Sequence, residues 1–148
     1  MNIFDIIIEE HKNFRKVANK LEEMTSRAIK TRTELFTSLK KELESHHEAE
    51  EKSLFSELYK HKETKELSLE CIEEHNVIKY LIGELESLNV DHESWGPKFK
   101  VFKEMLEHHL DEEEKEVFIE ARKILDKDTC EELGEKFKKV EEAIENSN

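Results

Sequence analysis

Six residues carry the chemistry that can be read from this chain: His11, His46, Glu50, His75, His109 and Glu113. Residues three and four apart share one face of a helix. Phe36, Leu39, Leu43, His46, Glu50 and Leu54 keep that step, and so do Phe99, Phe102, Leu106, His109, Glu113 and Val117. Two further stripes run Phe4, Ile7, His11, Phe14, Ala18, Leu21 and Cys71, His75, Ile78, Ile82, Leu85. Each histidine thus interrupts an otherwise apolar seam, and two of them have a glutamate one turn further on. A buried carboxylate without a partner is so costly that it is normally protonated, paired or exposed. Glutamates on a core stripe therefore imply a cation. An imidazole binds one metal while a carboxylate has two oxygens and can bridge a pair, so four imidazoles and two carboxylates suffice for two metals with positions left open. That donor set suits iron, with zinc, manganese or nickel as substitutes, and open positions mean binding or redox chemistry rather than a closed structural site.

The elements that must position these groups are helices. Of the 148 residues, 41% are charged and 36% hydrophobic, with three glycines and one proline, the composition of a single, nearly all-α domain spanning 1–148. Asn2 precedes the first helix, Thr31-Arg-Thr-Glu34 has capping-box form before the second, and Thr64 can cap the third. Pro97 fits the first position of the fourth, and Asp128-Thr-Cys-Glu131 can start a short fifth with Leu133, Phe137, Val140 and Ile144 on its apolar face. Short connections make the long helices antiparallel neighbours, and at about 1.5 Å rise per residue all six groups fall at one level of the bundle.

The sequence also repeats. Ile8-Glu-Glu-His11 returns as Ile72-Glu-Glu-His75, and Leu43-Glu-x-His46 as Leu106-Glu-x-His109, followed by Glu50 with Glu113 and Phe55 with Phe118. Two copies of one hairpin make a pseudo-symmetric bundle with two similar half-sites. In the doublet His46-His47 the stripe selects His46 with Glu50, because these continue Phe36, Leu39 and Leu43; His47 with Glu51 is the alternative register. His108 lies beside the stripe, His61 and His92 read as solvated, and Asp111 to Glu114 read as a wet face with Glu113 turned inward. Tyr59 and Tyr80 read as packing residues, with an approach to the site as the alternative.

A net charge of −13 argues against nucleic acid and anionic membrane surfaces. The run Ile6-Ile7-Ile8 is too short for a signal-peptide core or a membrane span, which points to a soluble cytoplasmic protein. Cys71 and Cys130 are far apart, with no CxxC or CxxCH, so iron–sulfur and c-type haem readings lack support; they read as small core residues.

Together, an early His in helix one, His46-x-x-x-Glu50-Glu51 before Leu54-Phe55, Glu74-His75, and His109-x-x-x-Glu113-Glu114 before Val117-Phe118 resemble the hemerythrin-like (HHE cation-binding) domains over nearly the whole chain. The resemblance implies an up-down-up-down four-helix bundle holding two non-haem irons and binding or sensing dioxygen or a related small oxidant. It equally admits a redox enzyme acting on peroxide or nitric oxide, or an iron-handling repair protein. It implies His11 and His46 on one iron, His75 and His109 on the other, and Glu50 and Glu113 as bridges. Two departures stand out. Oxygen carriers of the family have a second histidine one turn from the third-helix ligand, where Cys71 and Lys79 stand here, and an aspartate five residues after the fourth-helix histidine, where this chain has Glu113 at four. One iron is therefore expected to be more open or to have a different ligand. The usual proline after Leu-Phe is replaced by Ser56, so helix two is expected to run on.

Overall fold

The computed structural model describes residues 1–147. Its helices run Ile3–Glu23, Ile29–Glu50, Lys65–Glu86, Trp95–Glu112 and Lys127–Ser147; they are called the first to fifth helices below. Among the described residues there is no strand, and no helix is long and apolar enough to cross a membrane. The first four pack around a common core, each against the next and the fourth against the first. The fifth lies across the first and second.

Two apolar layers fill the interior. One holds Ile3, Phe4, Ile7, Leu54, Phe55, Phe118 and Phe137 among others. The second includes Phe14, Leu21, Leu39, Leu43, Ile82, Trp95, Phe102 and Leu106. The six candidate residues fall where the stripes pass from one layer to the other, so the site is walled above and below by side chains that exclude water.

The second and fourth helices do not stop at their glutamates. Each widens into a π-helical turn, Glu51–Phe55 and Glu113–Val117, then resumes as Ser56–Leu58 and Phe118–Ile124. Helix two does run on past Ser56, as its missing proline suggests, but through this altered turn. A π turn inserted in an α-helix is commonly found at a functional site, and here one occurs at the same place in each half.

Several helix starts differ from those expected. Asn2 does cap the first helix, its side chain accepting from the Asp5 N–H at 3.0 Å. The second begins at Ile29, before Thr31. Here tertiary packing overrides the capping box: Arg32 is buried, donates to the carbonyls of Val90 and Met24 at 2.6 and 3.0 Å, and stacks over Trp95. Thr64 precedes the third helix but turns its hydroxyl to the Leu58 carbonyl instead of capping. Pro97 is the third residue of its helix, not the first, still within the first turn, where its missing N–H costs no hydrogen bond. The fifth helix is not short: at 21 residues it equals the first. It starts one residue before Asp128, with the Asp126 carboxylate accepting from the Thr129 N–H at 2.8 Å. Leu133 and Phe137 are its buried apolar members, with Val140 partly buried.

Candidate metal centre

His11, His46, Glu50, His109 and Glu113 are wholly buried and His75 almost so. The carboxylates lie between the imidazoles. Glu113 reaches His11 Nε2 with Oε1 at 3.2 Å and His109 Nε2 with Oε2 at 3.2 Å, while His75 Nε2 is 3.8 Å from the same Oε2. Glu50 Oε1 is 3.2 Å from His46 Nε2 and 3.3 Å from His75 Nε2. Donor atoms on one first-row metal, each about 2.0–2.2 Å from it, stand roughly 3 Å apart. The observed spacings are of that size.

A fifth imidazole joins them. His47 is buried, its ring stacks on His75 with centroids 3.8 Å apart, and it offers a ring nitrogen to the same centre. The donor atoms form two clusters, His11, His46, Glu50 and Glu113 on one side and His47, His75, His109 and Glu50 on the other. Reading along one stripe left His47 outside because it lies off that stripe. The doublet His46-His47 was the available signal: in a closed four-helix ring the second helix faces both neighbours, and the residue after the stripe member turns toward the third helix.

Each of the four stripe histidines is oriented through its other ring nitrogen. His11 Nδ1 meets Glu114 at 2.7 Å, His46 Nδ1 meets Glu10 at 2.8 Å, His75 Nδ1 meets Glu51 at 2.8 Å and His109 Nδ1 meets Glu74 at 2.7 Å. The contacts close a circuit: the first helix holds the second helix's histidine, the second the third's, the third the fourth's and the fourth the first's. Every one of these glutamates is the chain neighbour of a residue facing the centre. With Nδ1 committed to a carboxylate, Nε2 is left aimed inward, the usual arrangement of a metal-ligating histidine.

The inward atoms are orphans. Nε2 of all five histidines and both oxygens of Glu50 and Glu113 are buried and make no hydrogen bond. Buried polar groups are ordinarily satisfied, so this set fits a metal.

The electrostatics agree. Burial alone would lower the pKa of His46, but Glu50 and the hydrogen bond His46 donates to Glu10 outweigh it and raise it to about 10. For His109 burial is likewise outweighed, by Glu113 and Glu74, and the value rises to about 9. His75 is pushed well above the ordinary value despite burial by the carboxylates of Glu113, Glu50 and Glu51 around it. Burial would raise Glu113, yet His109, His11 and His75 hold it well below the usual carboxylate range. His47 goes the other way: burial, and then the charges of His75 and His109, drive it well below 6.5. The shifts have one cause: the buried carboxylates favour positive charge on the imidazoles that face them, as they would favour a cation.

Other sequence candidates lie elsewhere. His108 is exposed beside Glu112, His61 pairs with Glu57, and the His92 ring accepts from the Ser94 N–H. Tyr59 and Tyr80 are exposed. Cys71 is buried outside both clusters, and burial followed by the nearby carboxylates pushes its thiol pKa up. Cys130 is also buried and free.

A helical bundle whose interior gathers histidine and glutamate donors around one buried point is a cation-binding bundle. The Hemerythrin HHE cation binding domain family matches residues 2–121, and the chain belongs to that family. A solved structure, that of a hemerythrin HHE cation binding domain-containing protein from Mycobacterium kansasii, is 24% identical with a TM-score of 0.87. The match covers 99% of this chain and 89% of that one, which shows the shared fold. No curated protein matches at a significant level.

Proposed function

We propose that the chain is a non-haem di-iron protein that binds or senses dioxygen or a related small oxidant. The carrying observation is the set of orphaned inward atoms, five imidazole nitrogens and two carboxylates, which divide into two overlapping clusters sharing Glu50. On this reading His11 and His46 hold one iron and His75 and His109 the other, as the family resemblance implies, with His47 added to the second. Glu50, common to both clusters, and Glu113, whose two oxygens reach His11 and His109, would serve both. A pair of irons supplies reversible ligand binding or electron exchange with an oxidant. The protein's own part is to fix each imidazole through a glutamate, to keep the centre dry between two apolar layers, and to compensate the buried carboxylates.

Zinc or manganese would satisfy much of the same donor set, so metal analysis is the first test. After loading under anaerobic conditions, about two irons per chain are expected from two half-sites. A content near zero, or zinc that resists replacement, defeats the reading. Absorption spectra in air, after reduction and after argon flushing then separate functions. A band that vanishes on flushing and returns over many cycles marks a carrier; prompt one-way oxidation marks sensing or redox chemistry.

A groove of about 430 Å³ reaching His47 and His75 supports a second reading, a redox enzyme acting on peroxide or nitric oxide, because it gives peroxide, larger than a diatomic, as much room to approach as nitric oxide. Solution as a soluble cytoplasmic protein without a nucleic-acid or membrane partner accords with the charge of −13.

A further inference from the structure

The centre is closed on three of its four sides. Between the first and fourth helices, Glu114 bonds His11 and pairs with Arg15 at 2.8 Å, and Arg15 also bonds Asp111 at 2.9 Å. Across the first and second helices lies the fifth, with Phe137 edge-on to His46 and Lys138 3.6 Å from Glu10. Between the third and fourth, Glu74 bonds His109 at 2.7 Å and lies 3.8 Å from His108.

Among the described residues, the side between the second and third helices differs. The groove there has His47 and His75 at its inner end, apolar Leu43 and Ile82 on its walls, and exposed Asn76 and Lys79 at its mouth. Its inner end is built of side chains more than nine-tenths buried whose Nε2 atoms have no hydrogen-bond partner. The cavity beside the first, second and fifth helices stops at Glu10 and Glu141 and touches none of the five imidazoles.

We propose that this groove is the route by which small uncharged molecules reach the metal pair, with the His47–His75 edge as its threshold. The inference rests on the di-iron reading. The ligand class follows from charge. Along the rim Glu48 is paired with Lys52 at 2.9 Å and Glu51 is engaged by His75, while Glu44, whose neighbour Lys40 is held by Glu86 at 2.6 Å, is offset by the exposed Lys79 of the same groove, so little net charge remains there to draw an ion of either sign inward. Anions meet a chain of net charge −13, which opposes their approach.

The test plugs the groove after folding. Asn76→Cys places a thiol at the mouth, where a bulky maleimide can cap it while Cys71 and Cys130 stay buried. Asn13→Cys, capped in the same way, is the control in the neighbouring cavity. In anaerobic iron(II)-loaded protein, the bimolecular rate of nitric oxide binding should fall roughly tenfold with the cap at position 76 and stay unchanged with the cap at position 13. A rate unaffected by the first cap, or slowed equally by both, overturns the proposal. The metal-free protein provides a readout that does not need iron. Diethyl pyrocarbonate should modify His47 before His11, His46 or His109, and the cap at position 76 should protect it. If no iron is taken up, the di-iron reading fails and labelling alone decides the groove: His47 labelled first and protected by the cap supports it, and His47 no faster than His11 overturns it.

Discussion

The two halves of the bundle place the same residue types around the centre and part company at one position. Glu10 and His11 correspond to Glu74 and His75, and His46, Glu50 and Glu51 to His109, Glu113 and Glu114; but where the second helix has His47, the fourth has Leu110, fully buried in the apolar layer. One half-site therefore has two imidazoles and the other three. The half with two is sealed by the fifth helix, and the half with three opens on the groove. Pseudo-symmetry fixes the frame of the centre, while a single departure from it sets ligand number and exposure together.

Glu50 belongs to both clusters, so Glu50→Ala is expected to do most damage and to erase the comparison altogether. Iron content after loading should fall from about two per chain to less than one. Retention of both metals would mean that Glu113 alone joins the halves.

His47→Leu makes the halves alike and should leave the His11–His46 metal in place while weakening the other at least about tenfold, the size of effect seen even for residues that only orient a ligand. Isothermal titration of the metal-free variant with cobalt(II) reads the two steps separately. Two unchanged steps would return His47 to the role of a bystander. Leu110→His, the reciprocal change, tests whether a third imidazole can be supplied to the other half.

The orienting carboxylates predict equality. Glu10→Gln, Glu51→Gln, Glu74→Gln and Glu114→Gln should each cost roughly 10- to 100-fold in metal affinity, with no distinction between halves. Glu10 is the informative member. Its outer partner Glu141, raised to about 8 by burial and by Glu10 itself, comes from the fifth helix, while Glu74 finds Glu112 on the fourth. A Glu10→Gln effect that stands apart from the other three would assign that difference to the fifth helix.

The smallest effect concerns pH in the metal-free protein. His46 and His109 have folded pKa values of about 10 and 9, above the ordinary 6.5. Their contribution to stability is complete below about 6.5 and is lost as pH rises through 9 and 10. His47 is depressed, so its contribution is present above 6.5 and is lost as pH falls below that value. Glu113, also depressed, loses its contribution as pH falls below 4.5. Thermal unfolding should therefore show an alkaline arm that His46→Ala reduces, and a shallow acid arm between pH 6.5 and 4.5 that His47→Leu flattens. An acid arm unchanged in His47→Leu would place that loss elsewhere.

Much of this was legible in the sequence. The step Leu39, Leu43, His46, Glu50 identified a helix face directly, because core positions and inward donors obey the same periodicity. The duplication His-x-x-x-Glu gave the pairing of halves. His47 was not legible along one stripe: it is rotated by about 100° from His46, which reads as an edge position until a neighbouring helix is known to lie on that side. The π turns were hidden for a different reason, since Glu51–Phe55 and Glu113–Val117 contain no Gly or Pro and are set by packing around the centre. Arg32 shows the limit of capping rules, because burial under Trp95 and two carbonyl contacts recruit the preceding residues into the helix.

The circuit of glutamates makes the hairpin the repeating unit of the centre. Glu10 to His46 and Glu74 to His109 are bonds inside a hairpin, while Glu51 to His75 and Glu114 to His11 are bonds between hairpins, and the two kinds alternate around the ring. The second hairpin has a counterpart for every group of the first except His47, and two identical copies related by a twofold axis would close the same circuit as a dimer. The covalent link through Tyr59 to Thr64 removes the need for the copies to be identical. Position 47 against position 110 is where this chain uses that freedom.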